Sequence, residues 1–277
     1  LLNEAIEISK NADVIVAALG ESAEFSGESS SRTNLDIPDV QKHLLMELSR
    51  LGKPIVLLVF NGRPLTLSWE NEHIPAILDV WFPGSEAGDA IADVIFGKVN
   101  PSGKLSMTFP QNVGQIPIYY NHKNTGRPLP DGQWFQKFRS NYLDVSNDPL
   151  YPFGYGLSYS TFVYGTMRTS STNLKGNQGL TVSVDVSNKS NATGKEVVQL
   201  YIRDVVGSVT RPVKELKGFQ KVEIPANQTK TVSFVITTED LKFYNYDLKY
   251  DWEGGDFDIM IGTNSNDVQK VRVNWQK

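Results

Sequence analysis

Asp13-Val14-Ile15-Val16-Ala17-Ala18-Leu19 runs directly into Gly20-Glu21-Ser22-Ala23-Glu24-Phe25-Ser26-Gly27-Glu28-Ser29-Ser30-Ser31-Arg32-Thr33-Asn34-Leu35. The first part is an apolar run of strand length and reads as a buried strand. The second is a long Gly- and Ser-rich loop with three carboxylates, Glu21, Glu24 and Glu28, and one guanidinium, Arg32. A helical pattern begins near Pro38. Strand, loop and helix in that order form the repeating unit of an α/β fold, and in open α/β sheets ligands bind beyond the carboxyl ends of the strands. Composition alone leaves two readings of the loop: a solvated surface segment, or the carrier of an acid/base group.

The same alternation extends to about residue 110. Leu2, Ala5, Ile6 and Ser9 fall at helix-face spacing ahead of the strand. A helix is expected over Val40–Leu51, with Leu44, Leu45 and Leu48 on one face and Gly52-Lys53-Pro54 as its stop. Ile55–Phe60 is a continuous apolar run of the kind that parallel, doubly buried strands show. Asn61-Gly62-Arg63-Pro64 turns the chain, and Ala76–Trp81 reads as a third strand. Pro83-Gly84-Ser85-Glu86 opens a helix that continues to about Phe96, with Ala87, Ile91, Val94 and Ile95 facing inward. Three strands are fewer than the roughly four to six of most sheets. The chain also begins without Met and with a helix. It is therefore read as a piece of a longer protein, its sheet incomplete on the N-terminal side.

Residues 100–160 hold many Pro, Gly and aromatic residues and little periodicity. Such a stretch is too aromatic for disorder and is expected to pack over something. From Phe162 the pattern changes. Leu180–Val186 alternates strictly, and Val197–Ile202, Thr231–Ile236 and Val268–Val273 are rich in β-branched and aromatic residues, with turn signals between them. This is the pattern of an antiparallel β-sandwich. The expected organisation is an α/β sandwich domain over residues 1–160, including the irregular aromatic segment from about 100, followed by an all-β domain over residues 161–277.

The formal net charge is −4, from 27 basic and 31 acidic residues, and there is no long basic run. That argues against nucleic acid or an anionic membrane as the main partner. No apolar run approaches the roughly 20 residues of a membrane helix. With no Cys, thiolate chemistry and disulfides are excluded. His43, His73 and His122 lack metal-ligand spacing. No nucleophile-elbow or phosphate-cradling motif occurs, and no cofactor is expected. The sequons at Asn188, Asn191 and Asn227 are read as chance occurrences.

Glycoside hydrolysis requires two carboxyl groups flanking the scissile bond, about 5–5.5 Å apart in retaining enzymes. The Glu21–Arg32 loop can supply an acid/base. No second carboxylate on a matching strand end is evident: Asp79, Glu86, Asp89 and Asp93 read as lying on or beside a helix, with Glu86 a helix-dipole or cap residue. Trp81, Trp134 and Tyr119 are candidates for stacking on sugar faces, with ordinary packing as the simpler role.

Several longer motifs carry a resemblance. Trp81-Phe82-Pro83-Gly84-Ser85-Glu86-Ala87-Gly88, continuing through Ala90–Val94 to Gly97 and Asn100-Pro101-Ser102-Gly103-Lys104-Leu105, resembles the family-3 glycoside hydrolases. So do Tyr151-Pro152-Phe153-Gly154-Tyr155-Gly156-Leu157-Ser158-Tyr159 and the following Thr161-Phe162. Arg211–Phe219 is similar to that family's fibronectin type III-like domain. Gly114–Pro117 and Asn124–Pro128 look like its periplasmic bacterial β-glucosidase branch. The resemblance covers essentially the whole chain. It implies an α/β sandwich domain followed by a fibronectin type III-like domain, with an N-terminal TIM barrel that carries the Asp nucleophile and is absent here.

The family's acid/base Glu lies shortly before an Arg in a loop of the α/β domain. Glu28-Ser29-Ser30-Ser31-Arg32 matches that pattern, so the resemblance assigns the role to Glu28, with Glu24 and Glu21 in reserve. It further implies a retaining, exo-acting β-glucosidase that removes terminal β-D-glucosyl residues. The implied partners are a β-glucoside or oligosaccharide substrate and the protein's own barrel, in a periplasmic or secreted setting. The rival reading is a non-catalytic carbohydrate-binding or adhesion module.

Overall fold

The computed structural model describes residues 1–130 and 132–277. They divide into two compact units. The first comprises residues 1–96, 109–118 and 147–151, and the second residues 97–108, 119–146 and 152–277. The irregular aromatic stretch is thus shared between them.

The first unit runs α1 (Leu2–Lys10), β1 (Ile15–Gly20), α2 (Asp39–Ser49), β2 (Ile55–Phe60), α3 (Ser68–His73), β3 (Ala76–Asp79) and α4 (Ala87–Ile95). The strands form a parallel sheet in the order β1-β2-β3, with Gly20 opposite Phe60 and Val59 opposite Asp79. β2 lies in the middle, and Leu57 and Val59 are sealed completely. Leu45 and Leu48 of α2 join this core. β1 is less buried than its apolar run suggests. Ile15 and Ala17 face the core, while Val14 and Val16 are exposed. β3 stops at Asp79 rather than Trp81, because Trp81 takes a left-handed φ of 51°, which no strand accommodates. α3 was not legible from periodicity. At six residues it is too short to show a stripe. α4 keeps Ile91, Val94 and Ile95 only half-buried.

The second unit is a two-sheet sandwich. One sheet holds β10 (Thr229–Ile236), β7 (Leu180–Asn188) and β4 (Phe162–Tyr164), with β5 (Arg168–Thr169) also on β7. The other has the order β6 (Asn173–Lys175), β14 (Val268–Gln276), β13 (Gly255–Gly262), β8 (Gly194–Asp204), β9 (Glu215–Ile224). A small hairpin joins β11 (Phe243–Tyr244) and β12 (Tyr250–Asp251). Pairing is antiparallel except between β6 and β14. Leu180, Val182, Val184 and Val186 of β7 meet Val198, Leu200 and Ile202 of β8 and Phe257, Ile259 and Ile261 of β13 in one core cluster. Period-2 alternation puts these residues on inner faces.

Two of the sequence motifs meet inside this unit. Leu105 N–H donates to Tyr155 O at 2.8 Å, and Gly154 N–H donates to Leu105 O at 2.7 Å. Lys104 Nζ reaches Gly156 O at 2.7 Å and the buried carboxylate of Glu196 at 3.2 Å. Asn100 binds Ser158 and Ser160. Of the aromatic stretch, Tyr120 stacks on Phe153 at 4.2 Å in this unit, and Phe109 is buried against Trp81 and Tyr151 in the first. Trp134, Phe135 and Phe138, expected to be covered, are exposed. Among the described residues no helix is long and apolar enough to cross a membrane.

Candidate functional site

The loop from Glu21 to Leu35 leaves the carboxyl end of β1 and is fastened at several points. Gly20 begins it at φ 133°, with its Cα so close to β2 that a Cβ would lie 1.9 Å from Phe60 O. The side-chain amide of Gln41, on α2, donates to Gly20 O at 3.1 Å and accepts from Gly20 N–H at 2.7 Å. At the far end, Thr66 N–H donates to Leu35 O at 3.0 Å and the Thr66 hydroxyl donates to Asp36, which also pairs with Lys42 at 3.1 Å.

Between these ends the loop is organised around one buried carboxylate. Glu21 is only 5% exposed. Its oxygens accept from Arg32 Nη1 at 2.8 Å, from Gly62 N–H at 3.1 Å and from Ser26 Oγ at 3.3 Å, and Arg63 Nε lies 3.1 Å away. Burial pushes its pKa up. The Arg32 hydrogen bond, the Gly62 N–H and the charges of Arg63 and Arg32 outweigh that and hold it below the usual carboxylate value. Arg63 continues past Glu21: Nη1 donates to Ser30 O at 2.9 Å and Nη2 to Phe25 O. Gly62 permits the contact, since a Cβ there would meet Ser26 Oγ at 2.2 Å and the Phe82 ring at 2.7 Å.

The two carbonyls held by Arg63 bracket Glu28. Gly27 to Ser30 is a tight turn closed by Ser30 N–H to Gly27 O at 3.3 Å, with Ser29 in the left-handed region at φ 63°. Glu28 sits at its tip, exposed, and among the described residues it makes no hydrogen bond or ion pair. Glu24 is also exposed and accepts from Ser22 Oγ at 3.4 Å. The three loop carboxylates therefore differ in kind. Glu21 is an anchor with its lone pairs committed, whereas Glu24 and Glu28 face solvent.

The structure corrects two of the readings above. Asp79 is not on or beside a helix but is the last residue of β3, so a carboxylate does stand on a second strand end. Its oxygens are sealed from solvent, so it does not face a substrate. Arg63, read only as part of a turn, is the principal clamp on the loop. Its basic charge beside a Gly was the available signal, but no periodicity connects it to a loop some forty residues earlier. Of the stacking candidates, Trp81 is half-buried with its ring edge-on to Phe109 at 5.8 Å, while Trp134 and Tyr119 are exposed. Glu86 occupies the N-cap position of α4 without a capping hydrogen bond from its side chain.

Residues 1–159 match the glycosyl hydrolase family 3 C-terminal domain, and residues 196–265 match the fibronectin type III-like domain. A periplasmic β-glucosidase of Salmonella typhimurium is 49% identical over 270 residues, covering 98% of this chain and 35% of the relative. A β-xylosidase of Formosa agariphila is 44% identical, covering 98% of this chain and 36% of the relative. The crystal structure of a β-glucosidase from Listeria innocua in complex with isofagomine superposes with a TM-score of 0.92 at 45% identity, covering 99% of this chain and 39% of that one. The chain thus spans about a third of the length of these curated relatives. By sequence and by fold, it belongs to glycosyl hydrolase family 3, as the C-terminal α/β domain with its fibronectin type III-like companion.

Proposed function

We propose that this chain is the C-terminal part of a retaining, exo-acting β-glucosidase and that Glu28 is its general acid/base. The observation that supports the role most directly is the state of Glu28 itself. It is exposed at the tip of a turn whose two flanks are held by Arg63, with no partner that would consume its lone pairs. A residue that must donate a proton in one step and accept one in the next needs both freedom from ion pairing and a fixed position. Glu21 fails the first requirement. The substrate is a β-glucoside or short oligosaccharide, and the nucleophile belongs to the N-terminal barrel that the family carries. This chain alone therefore does not turn over aryl β-glucosides. The resemblance to a periplasmic relative supports a periplasmic or secreted setting. The domain limits follow the family, with the α/β domain ending near residue 160 and the sandwich beyond it.

In the barrel-containing protein, Glu28→Ala lowers kcat strongly and also lowers KM for substrates with an activated leaving group. Loss of the base lets the glycosyl-enzyme accumulate, while a good leaving group needs little protonation. Azide restores turnover and yields a glycosyl azide of retained configuration. Glu24→Ala shows no rescue. Rescue of Glu24→Ala but not Glu28→Ala moves the role to Glu24, and rescue of neither removes it from the loop. A β-xyloside turned over faster than the matching β-glucoside favours a β-xylosidase, as the Formosa relative suggests.

A further inference from the structure

Asp79 stands opposite Val59 in the β2–β3 pairing, and Asn61 lies two residues beyond Val59. Side chains alternate along a strand, so Val59, Asn61 and Asp79 project from the same face at the carboxyl edge of the sheet. Asn61 is fully buried. Among the described residues neither Asp79 carboxylate oxygen nor Asn61 Oδ1 makes a hydrogen bond of full geometry, although the Asn61 side chain and the Trp81 N–H lie close enough to hydrogen-bond the Asp79 carboxylate. Asn61 Nδ2 is committed to Arg63 O at 2.9 Å. The groups facing Asp79 are the Asn61 side chain and the Trp81 backbone N–H, the latter set by the left-handed Trp81. No charged group among the described residues bears on Asp79. The charges on the adjoining strand ends, Glu21 and Arg63, are turned onto each other at 3.1 Å.

An ionised Asp79 would keep its charge in a dry place with no cation to pair it, a costly arrangement for a buried carboxylate. A neutral carboxylic acid carries one O–H donor, and Asn61 Oδ1 is the acceptor that lacks one. Burial pushes Asp79 up to about 6, against the smaller pulls of the Asn61 side chain and the Trp81 N–H.

We propose that Asp79 is a positioning residue that retains its proton, donates it in a hydrogen bond to Asn61 Oδ1, and so fixes, through Asn61 and Arg63, the loop that presents Glu28. Asn61 holds the main chain of Arg63, and Arg63 holds the carbonyls of Phe25 and Ser30 on either side of Glu28. When Asp79 ionises, Asn61 loses that donor and the clamp loosens. The catalytic consequence rests on the acid/base reading of Glu28, while the proton on Asp79 does not.

The test follows the aspartate carboxyl resonances of the whole 277-residue chain, labelled with 13C, and amide exchange over residues 21–32 corrected for intrinsic rates. One resonance is expected to titrate near pH 6 and to be absent from Asp79→Asn. Loop protection should drop several-fold between about pH 5 and about pH 7.5 in the wild type. It should stay level in Asp79→Asn, whose amide supplies a donor that does not titrate. An Asp79 resonance that titrates near its ordinary value of about 4 overturns the proposal. So does a titration near 6 with unchanged loop protection. If Asp79→Asn does not fold, the wild-type titration and exchange decide alone. In the barrel-containing protein, Asp79→Asn should extend the alkaline limb of kcat/KM. Failure of azide to rescue Glu28→Ala would remove the acid/base reading and leave the resonance and exchange results standing.

Discussion

Arg63 Nε lies 3.1 Å from a Glu21 carboxylate oxygen, and the other two nitrogens of the same guanidinium hold main-chain carbonyls at Phe25 and Ser30. One side chain at the end of β2 thus fixes the base and both flanks of a loop that leaves β1. The planar, five-donor guanidinium makes this possible. Lys, a single ammonium, could not serve three acceptors spread across a loop in the same way.

Removing the anchor should release the loop. Glu21→Ala leaves Arg32 and Arg63 largely buried without their shared anion, at a cost of about 3 kcal/mol. The sign with pH follows from the lowered pKa. Glu21 stabilises the fold fully above its unfolded-state value of 4.5, and that contribution disappears as pH falls through the lower native value. Thermal midpoints of wild type and Glu21→Gln should therefore converge on acidification below about pH 4.5 and stay apart at neutral pH. A gap that stays constant across this range would contradict the ion-pair account.

Glu70 should behave in the opposite sense. It is fully buried on α3, and among the described residues neither carboxylate oxygen has a side-chain partner. Burial raises its pKa, and Asp36 reinforces the rise, while its own backbone N–H and the charges of Lys42 and His73 oppose it. Stability from its proton is present below the unfolded value of 4.5 and is lost as pH rises through the native one. Glu70→Gln removes that loss. Its midpoint relative to wild type should rise between about pH 4 and pH 7, as calorimetry at several pH values will show.

Gly62→Ala tests the close approach of the loop to β2. The added methyl would meet Ser26 Oγ at 2.2 Å and the Phe82 ring at 2.7 Å, so the loop must move. The expected cost is about 1–3 kcal/mol, with faster amide exchange over residues 21–32. Ser29→Gly, at φ 63°, should be neutral or slightly stabilising in the same assay.

Within the second unit, Lys104→Met strips the cation from Glu196, whose side chain is 4% exposed and, among the described residues, then keeps the Tyr164 hydroxyl at 3.0 Å. A loss of roughly 3 kcal/mol is expected in denaturant unfolding. Adding Glu196→Gln should recover much of it, because the uncompensated charge is removed together with its partner. If the double variant is as unstable as the single one, packing of the Lys104 stem accounts for the loss instead.

The succession of helix and strand over the first hundred residues, and the presence of a sandwich after Phe162, were legible in the chain itself. Both rest on local periodicity: the unbroken apolar run Ile55–Phe60 for a central parallel strand, and the alternation of Leu180–Val186 for a sandwich strand. β9 and β13 were missed because Gly218 and the mixed burial of Glu215–Ile224 blur the alternation, and because Gly255–Gly262 is buried on both faces over most of its length. The candidate loop was equally visible, as three carboxylates and an Arg after a strand. Which of those carboxylates is an anchor was not visible. Glu21, Glu24 and Glu28 are the same residue type in the same polar stretch, and the fold brings Arg32 of the loop together with Arg63 and Gly62 from beyond the end of β2 on Glu21 while leaving Glu28 free. Asp79 shows the same limit, since its burial and its place opposite Val59 and near Asn61 follow from strand register and not from its neighbours in sequence. Short-range patterns record what each segment buries. The charge state and freedom of a side chain depend on partners brought close by the sheet, and those are a property of the folded chain alone.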